Sequence, residues 1–226
     1  MKNIALILAS GNGSRCGLEY PKQFAKIKNK TILEYSIEAF ENHALITEII
    51  IVTNEVYFED VNKIVEKYNK VAKVVIGGVT RRDSSFNGVM AIKDDEANVL
   101  IHDAARPLIS EKIITNCINT LREYKAVCVT IPSTDTIFIL DLDNNIECIP
   151  NRSLLSRAQT PQCFKLSLIK DAHIKASNDV NCSVTDDCGL VLNYTNEKIH
   201  VVSGSEDNIK VTYINDIEFV KSKIGS

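Results

Sequence analysis

The chain opens on an apolar run, Ile4-Ala5-Leu6-Ile7-Leu8-Ala9, that breaks at once into Ser10-Gly11-Asn12-Gly13-Ser14-Arg15 and then Pro21-Lys22-Gln23. A run that is apolar at every position, not every second one, reads as a strand covered on both faces, as in the parallel sheet of an α/β protein. The loop after it is rich in glycine and carries cations. Glycines let the backbone approach a guest closely and turn its N–H groups inward, and Arg15 and Lys22 add positive charge, so the fitting guest is a polyphosphate. No Gly-Lys-Ser/Thr follows Gly13, which argues against P-loop hydrolysis. Gly17 arrives one residue late for a dinucleotide fingerprint and Pro21 interrupts any immediate helix, so a nicotinamide or flavin enzyme is disfavoured. A plain strand-to-helix turn is the bland alternative, and it leaves the two cations without a purpose.

The rest of the chain repeats this rhythm. Short β-branched runs at 49–52, 74–76, 99–101 and 127–131 read as buried parallel strands, and 32–40, 61–68, 84–92 and 113–121 carry apolar residues at helical spacing, each fitting a crossover. The sum is a doubly wound, mostly parallel, Rossmann-like α/β layer spanning 1–226 as one domain. Further helices are expected at 166–176, 186–193 and 214–224, with a strand at 199–202. One stretch departs from the pattern: 136–140 and 146–150 read as two strands around the Asp/Asn-rich turn 141–145, a hairpin projecting as an arm over 136–152. A hairpin leaving an α/β body needs a surface to cover it. An identical partner, giving a homodimer, is one such surface; a flap folded back on its own domain is the other.

Composition narrows the partners. A formal net charge of −3 over 226 residues argues against nucleic acid, though a local basic pocket for a small anion remains compatible. The first apolar stretch is too short for a membrane span, so a soluble cytoplasmic protein is expected. Seven cysteines without a C-x-x-C pair suggest free thiols in a reducing compartment. Four histidines far apart in sequence give no zinc spacing, and His43 and His173 read as surface residues.

Ligands of such sheets bind beyond the carboxyl ends of the strands. After the run 99–101 come His102-Asp103-Ala104-Ala105-Arg106-Pro107, where Asp103 can hold a divalent cation against phosphate oxygens and Arg106 can orient an anion. Asp103 could instead cap a helix, a task for which Ser110 is better placed. After 74–76 come Gly77 and Gly78, which permit close approach of a flat base, with Ser84 in reach of a ribose hydroxyl or base. A turn and helix cap is the alternative there. Lys210, in Asp207-Asn208-Ile209-Lys210-Val211-Thr212, is a solvated lysine on its own evidence.

Taken in order, Leu8 to Arg15, Pro21-Lys22-Gln23-Phe24, His102 to Pro107, Arg157-Ala158-Gln159-Thr160-Pro161-Gln162, Thr185-Asp186-Asp187 and Asn208 to Thr212 resemble the cytidylyltransferases of small polyol phosphates over essentially the whole chain. The resemblance implies that CTP lies over the first loop, held by Ala9, Ser10, Gly11, Asn12, Gly13, Ser14 and Ala104, with its base by Gly77, Gly78 and Ser84. It implies Arg15, Lys22 and Lys210 as the catalytic cations and Asp103 as the ligand of a magnesium ion. For the acceptor it implies Arg106, Asp135, Thr136, Thr160, Thr185 and Asp186, with Arg152 reaching from the arm across a dimer. Two branches are similar: enzymes acting on 2-C-methyl-D-erythritol 4-phosphate and enzymes acting on ribitol 5-phosphate. Cys16 and Val79 depart from the family's usual pattern, and the turn Thr185-Asp186-Asp187-Cys188-Gly189 differs from the first branch; Val201 to Glu206 and Asp187-Cys188 look more like the second, Ala104-Ala105 and Asn208 to Thr212 equally like the first, and the balance leans slightly to a pentitol phosphate. A nucleotide-binding module without turnover is the alternative of another class.

Overall fold

A computed structural model describes residues 1–12, 17 and 20–225. The first half of the chain runs β1 (Asn3–Ala9), a small ribbon of β2 (Lys26–Ile27) and β3 (Lys30–Thr31), α1 (Ile32–Glu41), β4 (Glu48–Thr53), α2 (Phe58–Val65), β5 (Val71–Ile76), α3 (Arg81–Met90), β6 (Asn98–Asp103) and α4 (Glu111–Thr120). The second half adds β7 (Ala126–Pro132), β8 (Ile139–Leu140), β9 (Ile146–Cys148), β10 (Ser156–Lys165), α5 (Leu166–Ser177), α6 (Asp187–Tyr194), β11 (His200–Ser203) and α7 (Ile214–Gly225).

Seven strands form the central sheet in the order β11-β7-β10-β6-β1-β4-β5. Every neighbouring pair is parallel except those of β10, which runs against both β6 and β7. The expected doubly wound layer is therefore present, with one reversed strand. From β1 the chain builds outward through β4 and β5, then crosses back over β1 to β6. The crevice between the carboxyl ends of β1 and β6 is the switch point of this winding, the place where such sheets bind ligands.

The continuous apolar run of β1 is explained by its two faces. Ala5, Ile7 and Ala9 pack with Leu33, Ile37 and Phe40 of α1, Val61 and Val65 of α2, and Ile113 to Ile118 of α4. Ile4, Leu6 and Leu8 pack with Val89 of α3, Ile169 and Ala172 of α5, and Leu190 and Val191 of α6. Full burial of each such Leu or Ile contributes roughly 1.5–3 kcal/mol. A Cβ on Gly88 would stand 2.6 Å from Leu6 Cδ1 and 2.7 Å from Val52 Cγ2, so glycine alone lets α3 lie this close to the sheet. A third, smaller core of Ala25, Ile27, Ile32, Val211, Ile217 and Val220 joins the β2–β3 ribbon to α7.

Three expectations are corrected. The run at 74–76 is not a buried strand: β5 is the sheet's edge, with no described strand along its outer side, and its Ala72, Lys73 and Ile76 are exposed. His43 and His173 are not surface residues but are each 2% exposed. His43 Nε2 lies 2.9 Å from Thr115 Oγ1 and its Nδ1 accepts the Leu45 N–H, while His173 sits on the inner face of α5 in line with Ile169 and Ala176, its ring edge against Phe86. Burial is tolerated because each imidazole finds a partner. Finally, β10 was not foreseen as a strand, since its sequence is polar and contains Pro161. Its Gln159, Thr160 and Gln162 are nonetheless at most 4% exposed, bonded to the loops around them.

The hairpin stands out from the body. Asp141 orders its turn by accepting the N–H groups of Asp143 and Asn145 at 2.9 and 2.8 Å, and Asn144 takes the left-handed conformation (φ 65°) that this turn requires. Every residue from Thr134 to Ile149 is exposed, so the arm is not a flap folded back on its own domain. Ile137, Phe138, Ile139, Leu140, Leu142 and Ile146 all present their side chains to solvent. Among the described cysteines all six thiols are free, and Cys117, Cys128, Cys163 and Cys188 are buried. No helix among the described residues is long and apolar enough to cross a membrane.

Candidate active site

A cavity of about 460 Å³ opens at the switch point. One wall is the backbone that continues β1, Ala9 to Asn12. Gln23, 3% exposed, clamps this segment by donating from Nε2 to the carbonyls of Ala9 (2.7 Å) and Gly11 (2.9 Å). Because Gln23 lies in the single helical turn Lys22–Phe24, the clamp also brings Lys22 to the cavity edge. The opposite wall is Gly78, Val79, Thr80 and Arg81 at the start of α3, whose first turn is closed by a capping box between Thr80 and Asp83.

The two walls are tied from behind. Ser84 is fully buried; its hydroxyl accepts from Ser10 Oγ (2.7 Å) and from the Gly78 N–H (3.1 Å) and donates to the Thr80 carbonyl (3.0 Å). Its hydroxyl is thus spent on the protein and does not face the cavity, contrary to its expected contact with a base or ribose. Gly77 and Gly78 have a related use. A Cβ on Gly77 would come within 2.7 Å of Ser84 Oγ, and one on Gly78 within 2.3 Å of Asp83 Cβ, so both glycines admit the first turn of α3 against the loop. Gly78 also faces the cavity, and Gly77 does not.

The floor is Asp103 at the end of β6. Its Oδ1 accepts from Arg81 Nε at 3.1 Å and its Oδ2 from Lys210 Nζ at 2.6 Å. Burial alone would raise its pKa, but the charges of Arg81 and then Lys210 outweigh it and hold the carboxyl well below the usual range. Arg81 divides its guanidinium, Nη1 reaching Asp187 Oδ2 at 2.8 Å. Lys210 is placed from the other side, where the Val211 N–H meets the Ala105 carbonyl at 2.8 Å and Val211 inserts into the small third core.

A buried chain of hydrogen bonds fixes the β6 end. Thr160 Oγ1 accepts the Asp103 N–H (3.1 Å) and lies 3.0 Å from His102 Nδ1, while His102 Nε2 lies 3.1 Å from the Arg106 carbonyl. These partners assign a neutral ring with its proton on Nε2. Burial agrees, pushing the His102 pKa down to about 4. Arg106 donates to the Asn208 carbonyl at 2.7 Å, and burial lowers its pKa. Asn208 in turn donates to the carbonyl of Thr160 and to Gln159.

Of the residues singled out from sequence, Ala9, Ser10, Gly11, Asn12, Lys22, Gly78, Asp103, Ala104 and Lys210 meet around this one cavity. Gly77 and Ser84 stand behind it, and Arg106 and Thr160 bolt the loops beneath it. Asp186 caps α6 and receives Gln162 Nε2 at 2.6 Å, while Thr185 beside it is exposed. Asp135, Thr136 and Arg152 are exposed at the arm, Arg152 donating to the Thr134 carbonyl at 3.1 Å. Gly13, Ser14 and Arg15 lie outside the described residues. Sequence reasoning missed Arg81, Asn54 and the clamp of Gln23. Two adjacent arginines gave no reason to prefer Arg81, yet the Thr80–Asp83 capping box, legible as T-x-x-D, would have put Arg81 at the first helical position beside the cavity.

A doubly wound sheet with the Ser10 to Asn12 backbone at its switch point and cations gathered on one carboxylate is the arrangement of the α/β nucleotidyltransferases. Comparison with known proteins narrows this. The family model for 2-C-methyl-D-erythritol 4-phosphate cytidylyltransferase matches residues 3–224, and the chain belongs to that family; it is a cytidylyltransferase. A 2-C-methyl-D-erythritol 4-phosphate cytidylyltransferase of Thermobifida fusca is 40% identical over 94% of this chain and 89% of its own length. A bifunctional ribulose 5-phosphate reductase/CDP-ribitol pyrophosphorylase of Haemophilus influenzae is 42% identical over 99% of this chain, which spans 48% of that longer protein. The crystal structure of 4-diphosphocytidyl-2C-methyl-D-erythritol synthase from Anaerococcus prevotii superposes with a TM-score of 0.89 at 33% identity, covering 100% of this chain and 99% of the other.

Proposed function

We propose that this chain transfers CMP from CTP to D-ribitol 5-phosphate, forming CDP-ribitol and pyrophosphate. The observation that carries the transfer is the set of Lys22, Arg81 and Lys210 around Asp103 in one cavity at the switch point. An acceptor phosphate is already an anion at neutral pH, since its second pKa is near 6, so no base is needed to activate it. Its oxygen bonds to the α-phosphorus as the bridging bond to the β-phosphate breaks, and pyrophosphate leaves with that electron pair. What the protein must do is bring two repelling anions together and stabilise charge on the transferring group. Lys22 and Lys210, with Arg15 from the loop, serve that purpose, and the Ser10 to Ser14 backbone cradles the triphosphate.

Magnesium fits the same floor. Among the described residues no group of three or more acidic, His or Cys side chains gathers to cage a metal, and a single carboxylate plus substrate phosphates is how magnesium is commonly held. Asp103 would hold it, and the ion would neutralise charge on the triphosphate. The exposed apolar arm supports a homodimer. In it, Arg152, Asp135 and Thr136 would meet the acceptor beside Thr185 and Asp186 of the other copy, over the loops that Arg106 and Thr160 hold in place.

The ribitol reading is supported by the Haemophilus relative, 42% identical over 99% of this chain, and by the Thr185–Gly189 turn. The family model and the Thermobifida relative favour 2-C-methyl-D-erythritol 4-phosphate as a second reading. An acceptor panel separates them: pyrophosphate release from CTP and magnesium is measured with each polyol phosphate. Ribitol 5-phosphate should give the highest kcat/KM. Preference for methylerythritol phosphate moves the assignment to the second reading, and CTP binding without pyrophosphate release from any acceptor leaves a nucleotide-binding module.

A further inference from the structure

Behind the cavity wall, two buried carboxylates share one guanidinium. Arg81 gives Nε to Asp103 and Nη1 to Asp187, whose side chain is 1% exposed. Asp187 is fixed independently of Arg81: its Oδ1 accepts from Ser85 Oγ and lies 3.5 Å from His173 Nε2, and its backbone N–H is held by Gln162 Oε1 at 3.0 Å. Burial would raise its pKa, but Arg81, and then His173 and Ser85, keep it ionised.

We infer that Asp187 is a positioning residue that holds Arg81 on Asp103, so that Lys210 can leave Asp103 for a phosphate. The inference rests on the CTP site proposed above. In the free protein the quartet Arg81, Lys210, Asp103 and Asp187 is formally neutral. When Lys210 turns to a phosphate, Asp103 keeps only Arg81 as counter-charge until a magnesium ion joins it, and an unpaired buried carboxylate is strongly destabilising. An unanchored Arg81 would itself turn to the triphosphate, because guanidinium donors match phosphate oxygens in pairs. Asp187 opposes that movement. A guanidinium serving only to brace α3 on α6 would place both forks on one carboxylate, whereas this one divides its edges between two and reaches the cavity between them.

The test separates binding from turnover. Asp187→Asn keeps the shape and removes the charge. It should lower kcat about ten- to a hundredfold, while metal-free CTP affinity by calorimetry stays unchanged or tightens severalfold. Arg81→Lys, which cannot serve two carboxylates, should lower kcat similarly, and the double variant should be no worse than Arg81→Lys alone. Ser85→Ala loosens Asp187 without touching Arg81 and should lower kcat a fewfold at unchanged CTP affinity; with Arg81→Lys it carries the test if Asp187→Asn does not fold. An unchanged kcat, a CTP affinity that falls in step with kcat, or fully multiplicative effects in the double variant would each overturn the inference. Failure of the wild-type chain to bind CTP strikes the functional reading instead, whereas wild-type turnover with no split in the variants strikes only the role of Asp187.

Discussion

The cavity floor and the projecting arm are opposite solutions to the same chain. At the floor, charged groups lie inside the protein, and Asp103, Arg81, Lys210 and Asp187 answer one another over distances of 2.6–3.1 Å. In the arm, apolar groups lie outside: Phe138 is 49% exposed, Leu140 51% and Leu142 completely. The floor is complete within one chain, and its geometry exists before any substrate arrives. The arm holds its own turn but leaves its apolar surface uncovered, as a region does when its stability comes from elsewhere.

The contrast can be broken at its strongest point first. Lys210→Ala should cost about a hundred- to a thousandfold in kcat, the range for loss of one charge-stabilising donor, with little change in the arm's behaviour by sedimentation. Steady-state kinetics with the preferred acceptor checks it; a loss below tenfold would remove Lys210 from the chemistry.

The buried floor should also show itself in pH. An unfolded histidine takes up a proton near 6.5, whereas His102 in the folded chain does so only near 4, so the unfolded state binds more protons between those values. Stability should therefore be full above pH 6.5 and fall by up to about 3 kcal/mol as the pH drops to 4. Asp103 and Asp187, whose pKa values are depressed, add to the loss only below the ordinary carboxylate range near 3.8. Melting temperature across pH reads this slope, and His102→Asn should flatten it between 6.5 and 4.

For the arm, Phe138→Asp with Leu140→Asp should turn the dimer proposed above into a monomer by analytical ultracentrifugation. The acceptor kcat/KM should fall about tenfold, about 1.4 kcal/mol, and CTP affinity should hold. An unaltered sedimentation coefficient would argue that the arm covers nothing. The smallest effect is expected at Ser84→Ala, where the lost bonds to the half-buried Ser10 and Gly78, both within reach of water, should cost about 1 kcal/mol in denaturant unfolding.

What the sequence disclosed follows the same division. The β1 run, the crossovers and the arm were legible because hydrophobic period and turn chemistry are local. Strand β10 was not, because Gln159, Thr160 and Gln162 earn burial only through partners far along the chain, at Ser205, His102 and Asp186. His43 and His173 misled for the same reason. At the site, residue types announced Lys22 and Asp103, but which hydroxyl faces a ligand depends on packing, and Ser84 turned out to be occupied from behind. Arg81 was invisible beside Arg82 until a helix start separated them.

The small third core has a consequence for how activity is acquired. Lys22 follows the loop near the start of the chain and Lys210 precedes α7, and the segments carrying them are brought together through Ala25, Ile27, Val211, Ile217 and Val220. A nascent chain that lacks α7 already carries β1 and the Gln23 clamp beside Lys22, yet its two lysines have no common footing. Clipping within α7 should thus silence the protein without touching a single residue of the cavity.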